Sequence, residues 1–257
     1  MKTSRYLLIL TTIANCGYAL ADDAKADGQW RGNGCAALSA SSGNTYSSSL
    51  NLTANAARVT AEDKLSLYGQ ILGSRSESAS VTSTNANLWL AGTRYDHNIT
   101  PDLFGFGGLD FSHDQIKQLS LRSVVSGGLG HHMIKTPDTQ WDLFGGVAYR
   151  TDKYSGLGVS INNAMETKLN ATELLLGEES AHKISEAISF KQKLVVSPNM
   201  SSSKGVRATF DTGLLVAMNK TMSLSVTLQD RYDSLSQAPV EKNDILFFTG
   251  INEKFGC

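Results

Sequence analysis

Between Val206 and Tyr232, apolar and polar side chains alternate residue by residue. Val206, Ala208, Phe210, Thr212, Leu214, Val216 and Met218 hold even positions, with Arg207, Thr209, Asp211, Gly213, Leu215 and Ala217 between them. After Asn219-Lys220-Thr221 the alternation resumes, with Met222, Leu224, Val226 and Leu228 set against Ser223, Ser225, Thr227, Gln229 and Arg231. A period of two marks a β-strand, because successive side chains leave opposite faces, and the short polar link predicts a tight hairpin. Runs of about 10 to 13 residues exceed the usual 5 to 6 of a soluble sheet and match the ~9 to 11 tilted residues that cross a bilayer.

The same pattern recurs along the chain. Strands are predicted over Trp30 to Ser41, Tyr46 to Ala56, Leu65 to Ile71, Asn85 to His97, Leu103 to Phe111, Leu119 to Leu129, Trp141 to Arg150, Glu173 to Lys183, Ile188 to Val196 and Ile245 to Phe255. The faces of Asn85 to His97 are hard to separate, and Leu174-Leu175-Leu176 breaks the alternation in its strand. Ser74 to Thr84, Ser112 to Gln118, Ser197 to Lys204 and Asp233 to Asp244 read as polar loops, and Tyr154 to Thr172 is the longest stretch without a strand pattern. Alternate connections are short (61–63, 100–102, 135–139, 183–186 and 219–220), while most of the others are long. About twelve strands, an even number, with short turns at one end predict an all-β fold: a closed antiparallel transmembrane β-barrel with both termini periplasmic. Closure is required because each unpaired backbone group in hydrocarbon costs several kcal/mol.

The two faces then acquire roles. Leu, Val, Phe and Ala are expected outside, with girdles of Trp30, Tyr46, Trp89, Tyr95, Trp141, Tyr149, Tyr154 and Tyr232 near the strand ends. The opposite set is too charged for a dry core. Arg122, Asp142, Arg150, Lys191, Lys193, Arg207, Asp211 and Arg231 are the candidate lumen-lining residues, joined by Asn51, Asn55, Gln70 and Gln229. An excess of basic groups favours anions in an open lumen; the same residues paired as Arg–Asp would close it. Both arrangements are open at this level.

Composition narrows the classes. The 257 residues carry a net charge of −1, which gives nucleic-acid binding no support. No apolar run reaches the ~18 residues of a membrane helix. Lys2 and Arg5 precede the apolar Tyr6 to Ile13, and Ala19-Leu20-Ala21 supplies small residues for cleavage before Asp22. This predicts a signal peptide over 1–21, a short periplasmic lead over 22–29 and the barrel over 30–257. Export permits a disulfide, and Cys35 with Cys257 is the candidate pair, since the first and last strands of a closed barrel are neighbours; two free thiols, or a Cys257 that is simply tail, are the alternatives. His131 and His132 are adjacent, so a strand would point them to opposite faces and away from a shared metal. No hydrolase, zinc or phosphate-loop motif is present; no cofactor, metal or catalytic residue is expected.

Several short motifs in order carry a resemblance. Trp30-x-Gly32 is followed by Ser42-Gly43-Asn44-Thr45, then by Tyr95-Asp96, Thr100-Pro101-Asp102-Leu103-Phe104, Arg231-Tyr232-Asp233-Ser234, Lys242-Asn243-Asp244 and a final Gly250-Ile251-x-x-Lys254-Phe255. Together they resemble the YdiY-like, salt-induced outer-membrane protein family, a Gram-negative domain of unknown function. The resemblance implies an outer-membrane barrel and no established substrate. Barrels of this kind usually end on an aromatic residue read by the insertion machinery; here Phe255 is followed by Gly256 and Cys257. The expectation is a monomer in contact with outer-membrane lipids, lipopolysaccharide and, through the strand ending at Phe255, that machinery. Its role is a narrow channel for small solutes or an envelope-stress component. The alternatives are an enzyme acting on lipid or lipopolysaccharide, and a plugged structural or binding barrel.

Overall fold

A computed structural model describes residues 26–41, 45–78, 81–161, 164–201, 205–236 and 241–255. The expected signal peptide, residues 22–25 of the lead, and Cys257 lie outside them. Every regular element among the described residues is a strand: β1 (Trp30–Ser41), β2 (Thr45–Val59), β3 (Asp63–Ser78), β4 (Val81–Asn98), β5 (Leu103–Asp114), β6 (Leu119–Lys135), β7 (Thr139–Tyr154), β8 (Val159–Ile161), β9 (Ala164–Glu166), β10 (Lys168–Lys183), β11 (Ile188–Pro198), β12 (Val206–Ala217), β13 (Met222–Asp233) and β14 (Asn243–Phe255). All except β8 and β9 close into one barrel, in the order β1-β14-β13-β12-β11-β10-β7-β6-β5-β4-β3-β2. Each barrel strand runs antiparallel to its neighbours, and β1 closes on β14 from Gly32↔Phe255 to Cys35↔Asn252.

Register sorts the side chains. Leu52, Ile71 and Trp89 are cross-strand partners on the outward face, as are Phe190, Leu214 and Val226. Ile71 is 54% exposed and Val147 57%. One residue along, Asn51 and Leu72 pair on the inward face and are buried. The period of two therefore separates an apolar exterior from an interior that contains most of the buried polar groups among the described residues.

Three features differ from the sequence expectation. First, β3 and β4 run through the stretch 74–84, read as loop, and β8 with β9 forms a small sheet inside 154–172. Loop lengths contrast over only part of the ring. Connections 155–167, 199–205 and 234–242 are long, but 79–80 and 115–118 are as short as the turns at the other end. There the chain continues as paired strand instead of looping. Second, Tyr154 leaves the expected girdle and donates its hydroxyl to the inward Asp152 at 3.2 Å. Trp30, Tyr95 and Trp141 stay outward near one rim, and Tyr46, Tyr149 and Tyr232 near the other. Third, apolar residues also occupy the interior: Leu72, Leu119, Phe104 and Phe144 are buried.

The inward rings sit on glycines. Tyr68, Phe104 and Phe144 are the direct cross-strand partners of Gly92, Gly130 and Gly177. A Cβ built on these glycines would lie 2.1 to 2.4 Å from the partner ring. Only a residue without a side chain lets the ring lie against the neighbouring strand.

Candidate functional site

The interior is crossed by two layers of paired charge. In the layer nearer the long connections, Arg122 on β6 donates from Nε and Nη2 to the two oxygens of Asp152 on β7, at 2.7 and 2.8 Å. Asp152 also accepts from Arg150, whose Nε donates to Glu173 on β10 at 2.7 Å. Glu173 accepts in turn from Arg207 on β12, with the Nε contact at 3.1 Å. The other Arg122 contact is Asp233, at the end of β13, 3.8 Å away. Between β6 and β13 the wall contains β7, β10, β11 and β12, so this pair bridges the lumen. Lys117, in the β5–β6 connection, similarly meets Asp244 of β14 at 2.5 Å. Arg150, Asp152 and Glu173 are 2%, 0% and 1% exposed, so no water-wide passage runs beside them.

The second layer, nearer the short turns, is built on aromatic rings. Arg94 on β4 donates to Asp96 at 2.8 Å, and its guanidinium carbon lies 4.6 Å from the Phe106 ring centre and 4.8 Å from that of Phe144. Phe106 and Phe144 meet edge to face at 5.7 Å. Lys193 pairs with Glu179 at 3.2 Å and reaches 6.0 Å from the Phe144 ring centre. Tyr68 donates to Asp110. Cation–π contacts of this type contribute about 0.5 to 2 kcal/mol each.

The candidate lumen residues distribute over these layers. Arg122, Arg150 and Arg207 belong to the first, and Lys193 to the second. Asp211 and Arg231 pair at 2.7 Å. Asp142 accepts from Gln140 at 2.8 Å and lies 2.7 Å from His132 Nδ1. Lys191 stands between Ala181 and Gly213 in register. Cys35 is disulfide-bonded. The remaining cysteines, Cys16 and Cys257, both lie outside the described residues.

Sequence reading missed the anions that complete the network. Asp152 shares a face with Asp142 and Arg150, so alternation on β7 could have found it. Glu173 and Glu179 were hidden by the leucine run in β10. Arg94, Phe104 and Phe106 lie on strands whose faces do not separate into apolar and polar.

The opposite part of the wall is neutral and polar. Asn33 donates to Asn252 at 3.1 Å, while Asn33 Oδ1, Asn252 Nδ2, Asn51 Nδ2 and Ser223 Oγ have no protein partner. Such buried groups are typical seats for ordered water. Among the described residues, no group of three or more His, Cys, Asp or Glu side chains is placed to hold a metal ion.

No curated protein sequence matches the chain. Among solved structures it is similar to a "Bacterial polysaccharide outer membrane secretin", at 10% identity and a TM-score of 0.43, covering 89% of this chain and 98% of that one. It is similar to the "Translocator domain of autotransporter NalP from Neisseria meningitidis", at 13% identity and 0.45, covering 88% and 86%. A third is the NanC porin, at 8% identity and 0.44, covering 88% and 96%. In sequence, a family profile matches residues 35–255, nearly the span over which the ordered motifs run, and the chain belongs to that family, described as "Protein of unknown function, DUF481".

Proposed function

We propose that the protein is a monomeric, non-enzymatic β-barrel of the Gram-negative outer membrane, with both termini periplasmic and its lumen held shut by paired charge. The observation that carries this reading is the contact of Arg122 with both Asp152 and Asp233, which joins distant parts of the wall. The membrane assignment is supported by the outward rows of Leu, Val and Ile, which in water would form an apolar patch far beyond the few hundred Å² usual on a soluble monomer. Of the outward histidines, His97 contacts Asp63, His113 the Ser120 carbonyl and His182 Thr139, while His131 stands between Leu103 and Leu143 in register. That favours a structural or binding role over lipid hydrolysis.

A second reading, a gated narrow channel, is favoured by the position of Asp233. It sits where β13 gives way to the 234–242 connection, so movement there would release Arg122. Planar-bilayer recording of the folded protein separates the two. The closed barrel gives no steady current, and the double variant Asp152→Ala/Glu173→Ala gives a measurable one. A steady current through the unmodified protein overturns the closed reading in favour of the channel.

A further inference from the structure

The outward wall between β5 and β10 is not smooth. In register, Gly105, Leu129, Gly145 and Leu176 form one cross-strand row, and Leu103, His131, Leu143 and Glu178 the next row toward the short turns. Leucines stand proud on either side of Gly145: Leu129 is 55% exposed and Leu176 49%. A Cβ on Gly145 would lie 3.5 Å from Leu176, an ordinary contact, so the glycine is the floor of a groove and not a point of crowding. The groove has a volume of about 390 Å³ and is walled by Leu103, Leu129, Leu143 and Leu176, with His131 at its edge.

Beside this groove the wall carries a carboxylate. Glu178 lies between Leu143 and Leu194 in register, on the outward face. It accepts from Trp141 Nε1 at 3.1 Å and from Gln192 Nε2 at 2.6 Å, both neutral donors. No cation among the described residues pairs with it. Glu178 is five residues in from Lys183. At ~3.3 Å per residue and a tilt of ~40°, this puts it about 12 Å from the rim. Its donor Trp141 belongs to the girdle, so the carboxylate stands at headgroup level, where a cation from outside the chain can reach it. Its remaining lone pairs are available for one.

We propose that this groove and its carboxylate form a binding site for one phospholipid with an ammonium headgroup, held in the leaflet nearer the short turns. The acyl chain lies over Gly145 between Leu129 and Leu176, pointing toward the barrel's midplane. The ammonium pairs with Glu178, and His131, on the same row two strands away, is placed to donate to the phosphodiester. Two strand spacings, about 10 Å, separate His131 from Glu178 at the backbone, a span within the reach of a phospholipid headgroup and its glycerol. The inference rests on the membrane reading above and adds the ligand class.

Native mass spectrometry of the folded protein extracted from vesicles of equal palmitoyl-oleoyl phosphatidylethanolamine and phosphatidylglycerol tests it. The expected result is retention of one phosphatidylethanolamine, several-fold over phosphatidylglycerol. Glu178→Gln should abolish that preference while leaving the folded, heat-shifted band on a gel unchanged. Gly145→Val, which fills the floor, should lower retention of both lipids; if that variant does not fold, Glu178→Gln decides alone. Equal retention of the two lipids, or a preference that survives Glu178→Gln, overturns the site and leaves the barrel assignment intact. Failure of the unmodified protein to insert into vesicles overturns the membrane reading and the lipid site with it.

Discussion

Phe144 lies flat against Gly177 on the adjacent strand, closely enough that a Cβ on the glycine would sit 2.4 Å from the ring's Cζ. Gly177→Ala must therefore displace a ring that also packs on Phe106 and under Arg94. Overpacking of this kind costs about 1 to 3 kcal/mol. Gly73→Ala is the control, since a Cβ there meets nothing within 4 Å; it should change stability by no more than about 0.5 kcal/mol. Urea titration followed by the folded-to-unfolded gel shift measures both.

The Arg122–Asp152–Arg150–Glu173–Arg207 chain should respond strongly to loss of a single anion. Glu173→Gln leaves the buried Arg150 and the half-buried Arg207 beside a neutral amide. Breaking a buried pair in this way costs about 3 to 5 kcal/mol. Exchanging a partly exposed pair, Lys193→Gln with Glu179→Gln, should cost clearly less. The same titration compares them, and equal losses would show that burial does not set the strength of the first layer.

A charge placed on the outward band reports on the solvent around the barrel. Val147 is outward and mid-strand on β7. Val147→Arg should lower stability in vesicles by about 2 to 4 kcal/mol if that face meets lipid. In water a surface substitution is worth about 0.5 kcal/mol or less. A small effect in folded, vesicle-inserted protein contradicts a lipid-facing Val147.

The disulfide at Cys35 has two candidate partners, Cys16 and Cys257, and closure of β1 on β14 favours Cys257. Protein beginning at Asp22 lacks Cys16. Its mobility on a denaturing gel should still shift on reduction, and the shift should vanish in Cys257→Ser. A mature chain without any shift, with both thiols alkylatable after unfolding, rules the pair out.

The hairpin of β12 and β13 was legible in the sequence, because its inward residues are small or polar except Leu215 and its outward ones apolar except Thr212 and Asp230. The β10 strand was not, and the reason is local. Leu175 points inward opposite Gly146, whose own inward neighbour is Gly128. These two glycines let the β6 and β7 backbones close on each other, since a Cβ on either would meet the other strand's backbone within 3 Å; Leu175 faces inward beside them, so three consecutive leucines serve two faces. Phe104 and Phe144 hide in the same way: each turns inward because a glycine on the next strand makes room. The outer parts of β3 and β4 were misread because Ser, Thr and Asn on both faces look like loop, whereas polar residues on both faces also suit a strand with water on either side. Arg122, Arg150, Lys193 and Arg207 stand on the polar side of alternating strands, whereas Arg94 does not, and the partners required the cross-strand geometry that closes the ring.

The upper part of β4 outlasts its neighbour. Pairing with β5 begins only at Leu88, so Val81 to Ala86 hold to β3 on one side and present backbone donors and acceptors to the medium on the other. The protein thus raises a ridge of paired strand where a polar loop was expected. A molecule that settles along that edge meets a chain already ordered by folding, and so loses less conformational freedom on contact than it would by organising a slack loop.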